Sequence, residues 1–191
     1  QSAPYRTITQ ALRMAQPNTT ILLSAGTYSR ESGETFPIVM RSGVTIQGDP
    51  GTRGQGVIIR GGGVYASRTS ANQNVAILGA NQAGLVGVTV TNSNPRGYGL
   101  WIESTSPTVQ NNTFTGSTHD GISIVGNAAA IVRNNYFTRN GASGISVFGT
   151  AQPEVRENIF ENTGFGINIA DDAQPRLLNN QVRQNRNGVV V

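Results

Sequence analysis

From residue 99 onward, a glycine followed by alternating apolar positions returns every 22 or 23 residues. The copies are Gly99-Leu100-Trp101-Ile102, Gly121-Ile122-Ser123-Ile124, Gly144-Ile145-Ser146-Val147, Gly166-Ile167-Asn168-Ile169 and Gly188-Val189-Val190-Val191. A second element keeps the same beat: Val109 to Phe114, Val132 to Phe137, Val155 to Phe160 and Leu177 to Val182, each passing through Asn-Asn or Glu-Asn. A fixed period of this length signals a solenoid, because each repeat can bury its apolar side only against its neighbours.

Leucine-rich repeats share the period, but the LxxLxL spacing and a helical half-repeat are missing, and the segments are too short and too β-branched for paired helices. The pattern predicts an all-β chain, a single-stranded right-handed parallel β-helix with three short strands per rung of about 22 residues. Neighbouring rungs then lie about 4.8 Å apart. Stacking places Asn112, Asn135, Asn158 and Asn180 in a ladder of side-chain amides at a sharp turn, where asparagine also tolerates left-handed backbone. Phe114, Phe137 and Phe160 are expected to stack inside, beside Ile102, Ile124, Val147 and Ile169.

The chain reads as one domain over 1–191, with a cap and first strand in 1–30, irregular rungs with long loops in 31–98 and regular rungs in 99–191. Strands are expected at Val44-Thr45-Ile46, Val57-Ile58-Ile59, Val75-Ala76-Ile77 and from Val86 to Val90. Thr7-Ile8-Thr9-Gln10 has a capping-box pattern, and Ile8, Ala11, Leu12 and Ala15 share one helical face, so an N-terminal helix is expected to plug the open end. The chain stops at Val191 inside a strand pattern, which suggests a truncated end and self-association through the uncapped C-terminal edge.

Composition narrows the function classes. Cysteine is absent, so neither a disulfide framework nor a thiolate metal site can form. No apolar stretch reaches the roughly 18 to 20 residues of a membrane span. All 14 basic residues are arginine, giving a net charge of +4. They are scattered singly, which favours anionic partners over a nucleic-acid role. The Gly48 to Gly54 run lacks the Gly-Lys-Ser/Thr ending of a phosphate loop and reads as a β-turn loop. Arg133 and Arg156 recur at one rung position and are expected to pair on the surface with Glu154 and Glu157.

Pro4-Tyr5-Arg6-Thr7-Ile8 through Ala11-Leu12, then Ile21-Leu22-Leu23 and Gly26-Thr27-Tyr28, resemble the start of secreted bacterial proteins of the pectin-lyase-like superfamily. The likeness is to a domain family of unknown function that precedes such β-helix repeats, and the later units are similar to that superfamily's generic repeat. The resemblance implies a secreted or cell-envelope location. It also implies a place among polysaccharide lyases, glycoside hydrolases, esterases, epimerases and tail-spike adhesins, among which fold alone does not choose.

A period of two points Trp101, Ser123, Ser146, Asn168 and Val190 outward, with Tyr98, Asp120, Ser143, Phe165 and Asn187 just before the glycines. The expected substrate-binding residues are Tyr98, Trp101, Ser123, Phe165 and Asn168, since aromatic faces beside polar groups suit a sugar ring. Glu103, Asp120 and His119 are the catalytic candidates, the two acids as a general acid and base. Asp120 is expected to point away from His119. The Tyr98-Gly99 and Asp120-Gly121 pairs are similar to two catalytic segments of mannuronan epimerases, but Trp101 and Glu103 stand where that family has Asp and His. Asp171-Asp172 lacks matching acids at Ser104, Asn127 and Gly149, so the calcium cluster of pectate lyases is unsupported; no metal and no cofactor are expected. With one histidine, multi-His zinc sites are ruled out, and Asp171-Asp172 reads as a solvated corner. Two functions follow as expectations: recognition of an extracellular polysaccharide, anionic or not, with or without turnover, or a structural or adhesive spacer within a larger secreted protein.

Overall fold

The computed structural model describes residues 3–191. Its strands form three sheets that run the length of a β-helix, each a path of seven parallel strands, with one antiparallel strand, Gly63–Ala66, added to the third. A rung visits them in order: Thr108–Gln110 in the first sheet, Thr113–Thr115 in the second, Ile122–Val125 in the third. Each strand pairs with its equivalent one repeat on, as in Val109↔Val132↔Val155↔Leu177.

The core is a stack of like on like. Phe114, Phe137 and Phe160 have no exposure and stack at 5.1 and 4.6 Å between ring centroids, within 10° of parallel. This stack explains the marker glycines. A Cβ built on Gly144 would sit 2.5 Å from Phe160 Cδ1 and 2.8 Å from the Gly166 carbonyl oxygen, closer than carbon can approach.

Corners fall where the amide ladder was expected. Asn112, Asn135 and Asn158 are fully buried. Each backbone N–H donates to the Oδ1 of the next Asn along the helix, at 2.9 to 3.0 Å, ending at Asn180. Each Nδ2 donates to a carbonyl of the preceding rung, as Asn135 does to Val109 at 3.0 Å. The left-handed backbone is carried by the residue before the ladder: Asn111, Asn134, Glu157 and Asn179 have φ between 53° and 56°. The ladder Asn itself turns inward, because its amide must satisfy groups that the corner strips from the strand ladder.

A second amide row lies at the turn into the third sheet and was not read from the repeat. Asn140 Nδ2 donates to the Phe114 carbonyl and its Oδ1 accepts from Ser117, while Asn185 makes the same pair of bonds with Phe160 and Thr163.

The helix Ile8–Met14 caps the first rung with Ile8, Ala11 and Leu12 buried, and the Thr7 hydroxyl accepts from the Gln10 N–H at 3.0 Å. The Glu34 carboxylate takes the first free amides, Ile8 N–H at 2.6 Å and Thr9 N–H at 3.0 Å, as suits the positive end of a helix. Two expectations change in detail. The segment from Val86 to Val90 is two strands, Gly84–Val86 and Thr89–Thr91, because Gly87 at φ 69° turns the chain between them. The glycine-rich loop contains a short 3₁₀ turn, Pro50–Thr52, capped by the Asp49 carboxylate on the Gly51 N–H. Arg156 pairs with Glu154 at 2.7 Å and Glu157 at 3.1 Å on the surface, whereas Arg133 donates instead to Gln110 Oε1 of the preceding rung at 2.6 Å. Among the described residues no helix is long and apolar enough to cross a membrane.

Candidate functional site

The third sheet carries the glycine-led strands Gly97–Glu103, Ile122–Val125, Ser143–Val147 and Phe165–Ile169. Their register aligns Trp101, Ser123, Ser146 and Asn168 in one row, each against the next. Strand alternation turns Leu100, Ile122, Ile145 and Ile167 into the core, so this row faces out. It floors a groove of about 700 Å³ along four rungs. Residues entering the strands, Arg96, His119, Ala142 and Phe165, line one long edge; residues leaving them, Gly126, Phe148, Gly149 and Asp171, line the other.

The end of the groove nearest the N-terminus is walled by a hairpin. Gly63–Ala66 pairs antiparallel with the start of Asn72–Leu78, and the loop between them brings Thr69, Ser70 and Ala71 to the groove. Glu103 fastens this loop: its Oε2 accepts from the Tyr65 hydroxyl at 2.5 Å, and its Oε1 from Ser67 Oγ, Thr69 N–H and Thr69 Oγ1 at 2.6 to 2.8 Å. Burial disfavours the Glu103 charge, but these donors outweigh it and hold its pKa down to about 2. Burial, then the same hydrogen bond and the carboxylate charge, push Tyr65 up to about 12.

Trp101 points outward as the alternation requires, yet it is only 3% exposed. It packs with Val75, Tyr98 and Val125, with Tyr65, Leu78 and Phe148 around them. The hairpin has turned an outward position into the centre of a small outer core, which period-two reasoning cannot foresee. Tyr98 meets Trp101 edge-on at 5.0 Å and lies over the His119 ring at 4.6 Å. Burial and the Asp120 charge raise the Tyr98 pKa against the opposing pull of Arg96.

Asp120 is 2% exposed and both of its oxygens are engaged. Oδ1 accepts the Ser143 N–H at 3.0 Å, and Oδ2 accepts the Ser146 hydroxyl at 2.6 Å. Ser146 has one proton, which the carboxylate takes, so Ser123 donates across the 2.9 Å contact between the two hydroxyls. His119 does not point away from Asp120: its Nδ1 lies 3.1 Å from Oδ1. His119 precedes the strand Ile122–Val125, so strand alternation does not govern it. Despite that proximity, Nδ1 makes no hydrogen bond. The carboxylate is therefore held by Ser143 and Ser146 with the His119 ring beside it, an order different from the Ser-His-Asp relay in which histidine stands between.

The groove brings together Tyr98, Trp101, His119, Asp120, Ser123, Phe165 and Asn168, whereas Glu103 lies outside its lining, behind the loop that it holds. Arg96, Ser146, Phe148, the loop residues Thr69, Ser70 and Ala71, and Gln73 at the start of the next strand also line it. Ser146 was legible in the outward row. The loop was signalled only by Gly61-Gly62-Gly63 followed by a polar turn, a hairpin pattern that no later rung repeats. Asp171 Oδ2 accepts the Gly149 N–H at 3.0 Å, consistent with a corner. Among the described residues no group of three or more His, Asp or Glu is placed to hold a metal ion.

Fold and groove define a parallel β-helix with a cleft on the outer face of its third sheet. Residues 1–191 match the family described as a protein of unknown function, DUF1565, and the chain belongs to that family. It is similar in structure to a Parabacteroides merdae protein described as a "putative glycosyl hydrolase", with a TM-score of 0.66 at 12% identity, over 84% of this chain and 81% of that one. At that identity the likeness is one of fold. No curated protein matches the sequence.

Proposed function

We propose that this chain is a polysaccharide-recognising β-helix of a secreted or cell-envelope protein, and that the sugar chain lies in the groove of the third sheet. The observation that carries the reading is the composition of the groove: Phe165, Phe148 and half-buried Asn168 line it above the buried Ser123 and Ser146, with Arg96 and His119 at one edge. Sugars present apolar C–H faces and a periphery of hydroxyls, and this lining answers both. Arg96 suits an acidic sugar, since guanidinium matches a carboxylate in shape and charge. A solved structure of the same fold described as a "putative glycosyl hydrolase" is in keeping with it.

Turnover would rest on His119 and Asp120. One observation favours the alternative of a structural or adhesive module: Asp120 already accepts from Ser143 and Ser146, and Glu103 is occupied by the hairpin. A retention panel of neutral and uronate polysaccharides, with product analysis of each bound polymer, tests both. Retention that is lost in Phe165→Ala and Arg96→Ala supports the groove; altered or released sugar that disappears in His119→Ala adds catalysis. Absence of retention across the panel leaves the spacer module.

A further inference from the structure

The groove is closed at one end, and no described residue covers the other. At the Trp101 rung the loop at 67–71 folds over the outer face of the sheet, and its Thr69, Ser70 and Ala71 form the end wall. Trp101 and Tyr98 beneath are 3% and 6% exposed. The neighbouring strand beyond the wall, Ile38–Val39, contributes nothing to the groove lining, although Val39 is 54% exposed. Towards the later rungs the floor row runs from Ser123 and Ser146 through half-buried Asn168 to exposed Val190, with no covering loop among the described residues.

The wall is built to stay. Four hydrogen bonds converge on the Glu103 carboxylate from Tyr65, Ser67 and Thr69, and Tyr65 also packs on the Trp101 cluster. Bonds to an ionised acceptor are about twice as strong as neutral ones, so the loop is a fixed stop. An internal stretch of a long polymer needs both ends of a groove open; a chain terminus needs only one.

From this we infer that the groove takes the end of a polysaccharide chain, its terminal residue against the loop at 69–71 beside Tyr98, Arg96 and His119, and the remainder running towards Asn168. This inference rests on the polysaccharide reading above and adds which part of the polymer is bound.

The test compares polygalacturonate, alginate, xylan and β-glucan, each as intact polymer and as its own short fragments, on the whole chain by calorimetry. End recognition predicts binding capacity per unit mass that doubles each time the mean chain length is halved, with unchanged affinity per chain end. In Glu103→Gln, whose loop is loosened, intact polymer should gain capacity per mass. Capacity per mass that is unchanged by shortening overturns end recognition while leaving polysaccharide binding intact. Failure of all polymers and fragments to bind overturns the polysaccharide reading and this inference with it.

Discussion

The Tyr65 hydroxyl meets the Glu103 carboxylate at 2.5 Å, joining the hairpin at 63–78 to the end of the strand Gly97–Glu103. The carboxylate titrates near 2 in the folded chain, against an ordinary value of 4.5. A depressed folded pKa means that its stabilisation is complete above the unfolded value and is lost as pH falls towards the folded one. The loop should therefore become sensitive to an acid protease between about pH 4.5 and pH 2. Glu103→Gln should be sensitive already at neutral pH and show a flatter response across that window, as measured by limited proteolysis. Loss of charge-assisted bonds there should lower stability by about 1.5–3 kcal/mol.

Gly144→Ala should destabilise the fold without touching the groove floor. The added methyl meets Phe160 and the Gly166 carbonyl, and neither can retreat from a packed stack. Overpacking of this kind costs about 1–3 kcal/mol. A urea melt should show a lower midpoint with little change in slope.

Asn135→Ala should cost more than a surface Asn substitution. It strips the Asn112 N–H of its acceptor and the Val109 carbonyl of its donor, both within the buried corner. Two such groups at about 1–3 kcal/mol each give roughly 2–6 kcal/mol. The same change at Asn187, exposed on the last strand, should be close to neutral in the same melt.

Trp101→Ala and Phe165→Ala should separate folding from binding. Trp101 is the centre of the outer core, and its removal should cost about 3–5 kcal/mol and loosen the hairpin. Phe165 is half-buried at the groove edge. Its removal should lower glycan retention with a smaller shift in thermal midpoint. Equal retention by Phe165→Ala and wild type would place the sugar elsewhere.

Much of the architecture was written in the chain. A solenoid repeats its local environment, so a period of 22 or 23 residues fixes rung length, the amide ladder, the phenylalanine stack and the outward row together. The capping helix was equally legible, since Thr7, Ile8, Ala11 and Leu12 interact within one turn or two. These are local or nearest-neighbour relations.

The character of the site depended on contacts that no period encodes. Tyr65 and Glu103 are 38 positions apart, and only their meeting makes Trp101 a buried anchor and Glu103 a clamp. Asp120 and His119 are adjacent in sequence, but the turn before the strand brings their side chains together where strand alternation would part them. Repetition determines the rungs because each position sees its own copies above and below. The groove's closed end was decided by a hairpin that occurs once, and a feature without copies leaves no periodic trace in the sequence.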